Sequence, residues 1–276
     1  MTHPASQSSS YLLGYDEAEH QRLERQAARW EPATREALEV IGVGPGWRCL
    51  DVACGTGAVM RLLSQLVGPS GQVHAIDLDA TYGARAADTL NAEIGPIHSF
   101  ERLDVTAPGT PQGAPFDLVF TRLLICHMTD PIGTVRRLWS WVKPGGTLLL
   151  QDYDMGLMQT QPPNPAFDRA FQLLQAPFTA SGRDPRAGAS MQHYLAAAGA
   201  GFPDDTRIAG WLSPRPVGVA ALVSVLASLV PALAELQMAT AAEVAEVIAR
   251  LRAAAEEPHA TMRGPDLISC WKRKEA

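Results

Sequence analysis

The stretch Cys49-Leu50-Asp51-Val52-Ala53-Cys54-Gly55-Thr56-Gly57 constrains this chain more than any other. Its apolar residues up to Val52 read as a buried strand and its two glycines as a tight turn. Ala58-Val59-Met60-Arg61-Leu62-Leu63 reads as the helix that follows. Glycine accepts backbone angles and close approaches that a Cβ forbids, and a helix start offers unpaired N–H groups. A small ligand therefore fits against the carboxyl end of this strand.

The alternation of strand and helix continues from there. Gln72 to Asp77 reads as a second strand, Ala80 to Ile94 as a helix, and Ser99 to Asp104 as a shorter third strand. Phe116 to Thr121 is a fourth strand, and Asp130-Pro131 opens a helix over Ile132 to Val142. The Lys143-Pro144-Gly145-Gly146 turn then delivers Thr147 to Gln151 as the fifth strand. Such alternation predicts an α/β fold, a doubly wound, mostly parallel sheet with right-handed crossovers and its ligand edge at the carboxyl ends of the strands.

The flanks are read from weaker signals. Residues 1–10 lack the apolar run of a signal peptide and read as a disordered tail. Residues 11–42 form a helical cap, in which Asp16 caps a helix over Glu17 to Trp30 and a second helix, Thr34 to Ile41, closes at Gly42. Residues 43–276 form the main domain. Its alternation is interrupted by lid insertions at about 153–205 and 213–263, and Thr206 to Trp211 and Leu267 to Lys272 read as the last two strands. Thr240-Ala241-Ala242-Glu243 has the spacing of a capping box. Val217 to Leu233 is apolar enough to raise the question of a membrane span. Ser224, Ser228 and Pro231 interrupt it, so a core or dimer-interface helix is the expectation and no membrane partner is implied.

Charge and cysteine usage narrow the partners. A formal charge of −6 over 276 residues argues against phosphate-driven nucleic-acid binding, which requires a basic face, and leaves a small molecule as the expected ligand. Cys49, Cys54, Cys126 and Cys270 form no close Cys-x-x-Cys pair. They read as reduced, buried thiols of a cytoplasmic protein rather than as a zinc site or disulfide framework.

Two acids decide what the opening turn holds. Asp51 precedes the glycines, and Asp77 ends the second strand about twenty residues after the turn, where a carboxylate binds ribose hydroxyls. A dinucleotide site shares Asp77 but wants Gly or Ala at the third position of G-x-G-x-x-G, which here is Met60. A pyrophosphate also gains little from Asp51 beside it, whereas a ligand carrying an ammonium and a sulfonium is attracted by that carboxylate. The combination favours a cationic nucleoside over NAD.

The ordered set Leu50-Asp51-Val52-Ala53-Cys54-Gly55-Thr56-Gly57, Ala75-Ile76-Asp77, Leu103-Asp104-Val105, Phe116-Asp117-Leu118-Val119 and Lys143-Pro144-Gly145-Gly146 resembles the class I S-adenosylmethionine-dependent methyltransferases of the small-molecule type. The resemblance covers roughly Arg48 to Tyr153; Tyr11-Leu12-Leu13-Gly14 is similar to the N-terminal cap of some members. It implies a Rossmann-like seven-stranded sheet with the last strand antiparallel, S-adenosylmethionine as cofactor and S-adenosylhomocysteine as product. By matching position, Gly55 and Gly57 pass the methionine part, Asp77 binds the ribose, Leu78 lies on the adenine, and Asp104, followed by Val105, meets its amino group. Thr121 and Arg122 line the methionine end. Tyr11 and Tyr15 either close over the site from the N-terminal helix or pack on the sheet. Ala53 and Cys54 depart from the pattern, standing where the family often has glycine.

A sulfonium methyl is already activated, so the protein has to hold a nucleophile in line, exclude water and, for a hydroxyl or indole-type acceptor, supply a base. No metal is demanded. His127, just past the fourth strand, is the first candidate for that base; Tyr153 and Asp154 after the fifth strand are the others, while Asp152 equally suits a loop anchor. Apolar insertions carrying Phe167, Phe171, Phe178 and Met191 suit a lid over a small organic acceptor. The lidded layout resembles methyltransferases of secondary metabolism and points to a specialised natural product, aromatic or indolic. A non-catalytic S-adenosylmethionine-binding protein and an NAD-dependent oxidoreductase are the rival readings.

Overall fold

The computed structural model describes residues 17–276; Tyr11, Tyr15 and Asp16 lie outside the described residues. A seven-stranded sheet carries the molecule. Its strands are β1 (Arg48–Val52), β2 (Gln72–Asp77), β3 (His98–Arg102), β4 (Phe116–Arg122), β5 (Val142–Asp154), β7 (Asp205–Ala209) and β10 (Asp266–Arg273). They lie in the order β3-β2-β1-β4-β5-β10-β7. The strands run parallel from β3 to β5, and β10 is antiparallel to both of its neighbours. This is the expected Rossmann-like sheet with its last strand reversed. The order turns around at β1 and β4, which opens a crevice at their carboxyl ends.

Residues of β5 show how the sheet is covered on both faces. Leu148 and Leu150 belong to one apolar cluster, and Leu149 between them to the other, as the two-residue period of a strand requires. The face of Leu149 is packed by α1 (Glu17–Ile41), α2 (Ala58–Val67) and α3 (Ala80–Glu93), which contribute Leu38, Leu63 and Leu90. The opposite face takes α4 (Pro131–Ser140) and α6 (Ala187–Ala197).

Local signals fix the helix ends. Asp130 accepts the Gly133 N–H at 2.8 Å with Pro131 in the first turn of α4, and Asp79 accepts from Thr81 at the start of α3. α1 corrects the expectation of two helices: one helix of 25 residues runs straight past Pro32. A proline removes one backbone donor and bends a helix, but Trp30, Thr34, Ala37 and Leu38 around it are all buried, and their packing keeps the helix continuous.

The remaining elements build a cover over the carboxyl edge of the sheet. These are α5 (Pro165–Ala180), α7 (Arg215–Glu235) and α8 (Ala241–Ala255), with β6 (Gln159–Gln161), β8 (Leu212–Pro214) and β9 (Thr261–Arg263). The three short strands form a second, antiparallel sheet in the order β6-β9-β8, which the sequence reading does not anticipate. Thr240 and Glu243 close the capping box of α8 from both sides. α7 contains the apolar stretch. It is long and apolar enough to cross a membrane by length and composition, and it packs here on α5, α8 and β9.

Arg215 ties this cover together. Its side chain is fully buried and donates to Thr160 Oγ1 at 2.9 Å, to the carbonyls of Pro162 and Ala254, and to Glu257. The first segment expected as a lid is therefore divided: α5 joins the cover, whereas α6 lies on β5 and β10 as a sheet-covering helix.

Candidate active site

The turn after β1 is a sequence of unusual backbone angles. Ala53 has φ 59°, Gly55 φ 52° and Gly57 φ 81°, and Gly57 starts α2. Ala53 occupies a left-handed conformation that glycine adopts without strain, so alanine stands here at some cost. The two glycines do different work. A Cβ on Gly55 meets no atom within 4 Å and stands in open space, whereas one on Gly57 falls 2.4 Å from the Ala86 Cβ. Gly57 thus serves the packing of α2 on α3 and lines a smaller neighbouring recess; Gly55 borders the main cavity.

That cavity, of about 900 Å³, lies under the cover at the carboxyl ends of β1, β2, β4 and β5. Asp51, Gly55, Asp77, Leu78, Asp104, Val105 and Arg122 all line it. Asp77 is oriented by the backbone: Oδ2 accepts the Gly55 N–H at 2.9 Å and Oδ1 the Asp79 N–H at 3.0 Å. Asp104 uses only Oδ1, which takes the Thr106 N–H and hydroxyl at 2.8 and 2.7 Å. Thr121 differs from expectation. It is fully buried, donates to the Val52 carbonyl at 2.9 Å and locks β4 to β1 rather than lining the cavity.

Asp51 is a buried acid beside the turn. It is 2% exposed, and its Oδ2 has no hydrogen-bond partner. Burial pushes its pKa from 3.8 up to about 7; the Arg122 guanidinium opposes that rise and the Asp77 carboxylate adds to it. Arg122 is held by a buried relay in which its Nη1 donates to Thr34 Oγ1 at 3.1 Å and Thr34 to Gln151 Oε1 at 2.7 Å. Gln151 then donates to Ser269 Oγ at 2.7 Å. This relay crosses α1, β4, β5 and β10. Its one visible signal is Gln151 ending the apolar run of β5.

The unpartnered Asp51 oxygen suits a donor or cation on a ligand, and the open space beside Gly55 accepts a chain passing close to the backbone. A cofactor bearing an ammonium and a ribose fits both features.

The three candidates for proton transfer separate in space. His127 lines the cavity beside Phe178, with ring centroids 5.4 Å apart. Burial, reinforced by the positive Arg183 and Arg22, lowers its pKa to about 4, so the imidazole is neutral at pH 7. Tyr153 also lines the cavity, but its hydroxyl oxygen accepts from Trp30 Nε1 at 2.6 Å and from Gln26 Nε2 at 3.0 Å. Both acceptor positions are thereby occupied in tethering α1. Asp154 does not border the cavity: it caps Gly156 and forms an ion pair with Arg186 at 2.9 Å. Asp152 is the loop anchor, taking the N–H groups of Cys126 and Tyr153 at 3.0 and 2.8 Å.

The far wall is apolar, formed by Met128, Met155, Leu174, Phe178 and Met262 with Val217, Ala221 and Val225 of α7. Of the aromatic and Met lid residues expected there, Phe178 borders the cavity, whereas Phe167, Phe171 and Met191 are core. Met60, at the position where a dinucleotide site wants a small residue, is fully buried under the turn.

Fold and site define a Rossmann-like protein built to hold a cationic nucleoside at the β1–β4 crevice. Comparison with known proteins points the same way. Residues 50–148 match a family model described as a methyltransferase domain. Methyltransferase str2 of Strobilurus tenacellus is 26% identical over 198 residues, 71% of this chain and 69% of that protein. The ubiquinone/menaquinone biosynthesis C-methyltransferase UbiE of Pseudomonas syringae pv. tomato is 31% identical over 145 residues. That alignment covers 52% of this chain, which spans only 54% of that relative's length. Haemonchus contortus phosphoethanolamine N-methyltransferase 2, solved with phosphomonomethylethanolamine and S-adenosylhomocysteine, shares the fold. Its TM-score is 0.52 at 17% identity, over 88% of this chain and 53% of that one. Residues 50–148 thus match a methyltransferase domain, the fold is that of the class I S-adenosylmethionine-dependent methyltransferases, and the site fits S-adenosylmethionine.

Proposed function

We propose that the protein is an active methyltransferase whose acceptor is a small, largely apolar organic molecule, a specialised natural product of aromatic or indolic character. The observation that carries this reading is the continuity of one cavity from Asp51 and Asp77 to the apolar wall of α7 and the four methionines Met128, Met155, Met158 and Met262. Methionine walls adapt to irregular ligands. An acidic end and an apolar end under one cover suit a cationic donor and an organic acceptor enclosed together.

Bound S-adenosylmethionine supplies an electrophilic methyl group, and the chain supplies position and dryness. Asp51 neutralises an ammonium, Asp77 engages ribose hydroxyls, and Leu78, Asp104 and Val105 line the place for an adenine. The cover excludes water from the acceptor end. His127 is neutral and a weak base, and its role at the acceptor is to give or accept a hydrogen bond that positions it. Tyr153 positions α1. The four buried free thiols support a cytoplasmic setting.

Calorimetry with S-adenosylhomocysteine and with NAD tests the donor: binding of the first and not the second is expected, and no binding of the first sinks the reading. A mass-spectrometric screen for gain of one methyl across indoles, phenols and amines tests turnover, with the first substrate found used to compare variants. His127→Ala should lower kcat by about tenfold through loss of one positioning hydrogen bond, and Tyr153→Phe should leave it within about threefold if the tyrosine is a tether.

A further inference from the structure

Charges of both signs line the cavity. Asp51, Asp77 and Asp104 border it together with Arg122, whose charge acts on Asp51, and with the exposed Arg25 and Arg29 of α1, whereas two further guanidinium groups, Arg22 of α1 and Arg183 of the turn after α5, act on His127. Arg22 is engaged in contacts within the protein. Arg183 is different. Its Nε donates to the His127 carbonyl at 2.8 Å and its Nη1 to Ser181 Oγ at 3.0 Å, both neutral oxygens. Among the described residues, no carboxylate lies within ion-pair distance of it, and Nη2 has no hydrogen-bond partner.

A half-buried guanidinium without a counter-charge is unfavourable, and burial here lowers its pKa. Its setting adds no compensation: Met128, Leu174 and Phe178 are the cavity neighbours of this wall. The two bonds to the backbone and to Ser181 fix the planar fork in one orientation. That geometry suits recognition of a planar oxygen anion better than a mobile surface charge would. Eight of the cavity's lining residues on α7 are apolar or small and offer nothing anionic in exchange.

We infer that the acceptor presents an oxygen anion, a carboxylate or a phenolate, to Arg183 on an otherwise apolar scaffold. The inference rests on the reading of this cavity as the acceptor site. It makes Arg183 a specificity-determining residue of the same cavity that Asp51 lines.

Matched probes decide it by calorimetry, with and without saturating S-adenosylhomocysteine: biphenyl-4-carboxylate against biphenyl-4-carboxamide, and 4-phenylphenol against biphenyl. The wild-type protein should bind at least one acidic probe about tenfold more tightly than its neutral partner. Whichever pair shows the preference identifies carboxylate or phenolate as the source. Arg183→Gln should bring that pair to within about twofold, and Arg183→Lys should keep part of the preference because the charge remains without the fork. Equal affinities within both pairs in the wild type overturn the proposal, as does failure of both acidic probes to bind. A preference that survives Arg183→Gln in a variant with unchanged melting temperature overturns it as well. S-adenosylhomocysteine binding is read separately: its loss with the acid preference intact refutes the donor site and leaves Arg183 standing, and the converse refutes only Arg183.

Discussion

At the residue scale, Asp51 couples cofactor affinity to pH. A carboxyl group with a pKa of about 7 in the free protein must lose its proton to face an ammonium, so S-adenosylhomocysteine should bind more weakly as pH falls below 7, approaching tenfold per unit. The sign for stability is opposite. The folded-state pKa lies above the unfolded value near 3.8, so the folded state holds the extra proton between about pH 4 and 7 and stability falls as pH rises through that window. Asp51→Asn should therefore raise the stability of the cofactor-free protein at pH 8 by roughly 2–4 kcal/mol while weakening S-adenosylhomocysteine binding at least about tenfold. Denaturant titration and calorimetry on the same variant check both; a variant that is no more stable at pH 8 would refute the burial argument.

At the scale of elements, the two glycines of the turn give a paired test. Gly57→Ala forces a left-handed residue and drives a Cβ to 2.4 Å from Ala86, so α2 and α3 must part; a loss of about 2–4 kcal/mol is expected, with cofactor affinity changed mainly through folding. Gly55→Ala carries the backbone strain alone, about 1–2 kcal/mol, because its Cβ enters open cavity. It should instead cost S-adenosylhomocysteine affinity at least about tenfold. Melting curves beside calorimetry separate the two roles, and equal affinity losses in both variants would contradict the assignment. These elements are also where sequence legibility varied. Asp130-Pro131 and the Thr240 to Glu243 box announce helix starts through local hydrogen bonds, which depend on neighbours in sequence. The unity of α1 across Pro32 depends on what Trp30 and Leu38 bury against, and no local pattern carries that.

At the scale of the whole molecule, the cover over the cavity hangs on Arg215. Its partners Thr160, Pro162, Ala254 and Glu257 come from β6, the segment after it, α8 and the turn beyond α8. Arg215→Leu keeps much of the volume but strands a buried hydroxyl and two carbonyls. Loss of about 3 kcal/mol is expected, concentrated in the cover. Hydrogen exchange should show α7, α8 and the small sheet opening while β1 to β5 keep their protection; uniform loss across both would show that cover and sheet unfold as one.

The sequence by itself determined the alternation through the first five strands of the sheet, the position of the glycine turn and the acids Asp51, Asp77 and Asp104 around it. Each is written in local periodicity or in the short strand-turn-helix unit that places a residue at a strand's carboxyl end. Tertiary structure alone decided which residues beyond that unit face the cavity. Thr121 turns to the Val52 carbonyl, Asp154 pairs with the exposed Arg186, Tyr153 spends its hydroxyl on Trp30, and Arg183 arrives beside His127 from 56 positions away in the chain. Those outcomes follow from long-range packing of α1, α5 and α7 over the sheet edge. Side-chain direction there is set by neighbours remote in sequence, which leaves no periodic trace.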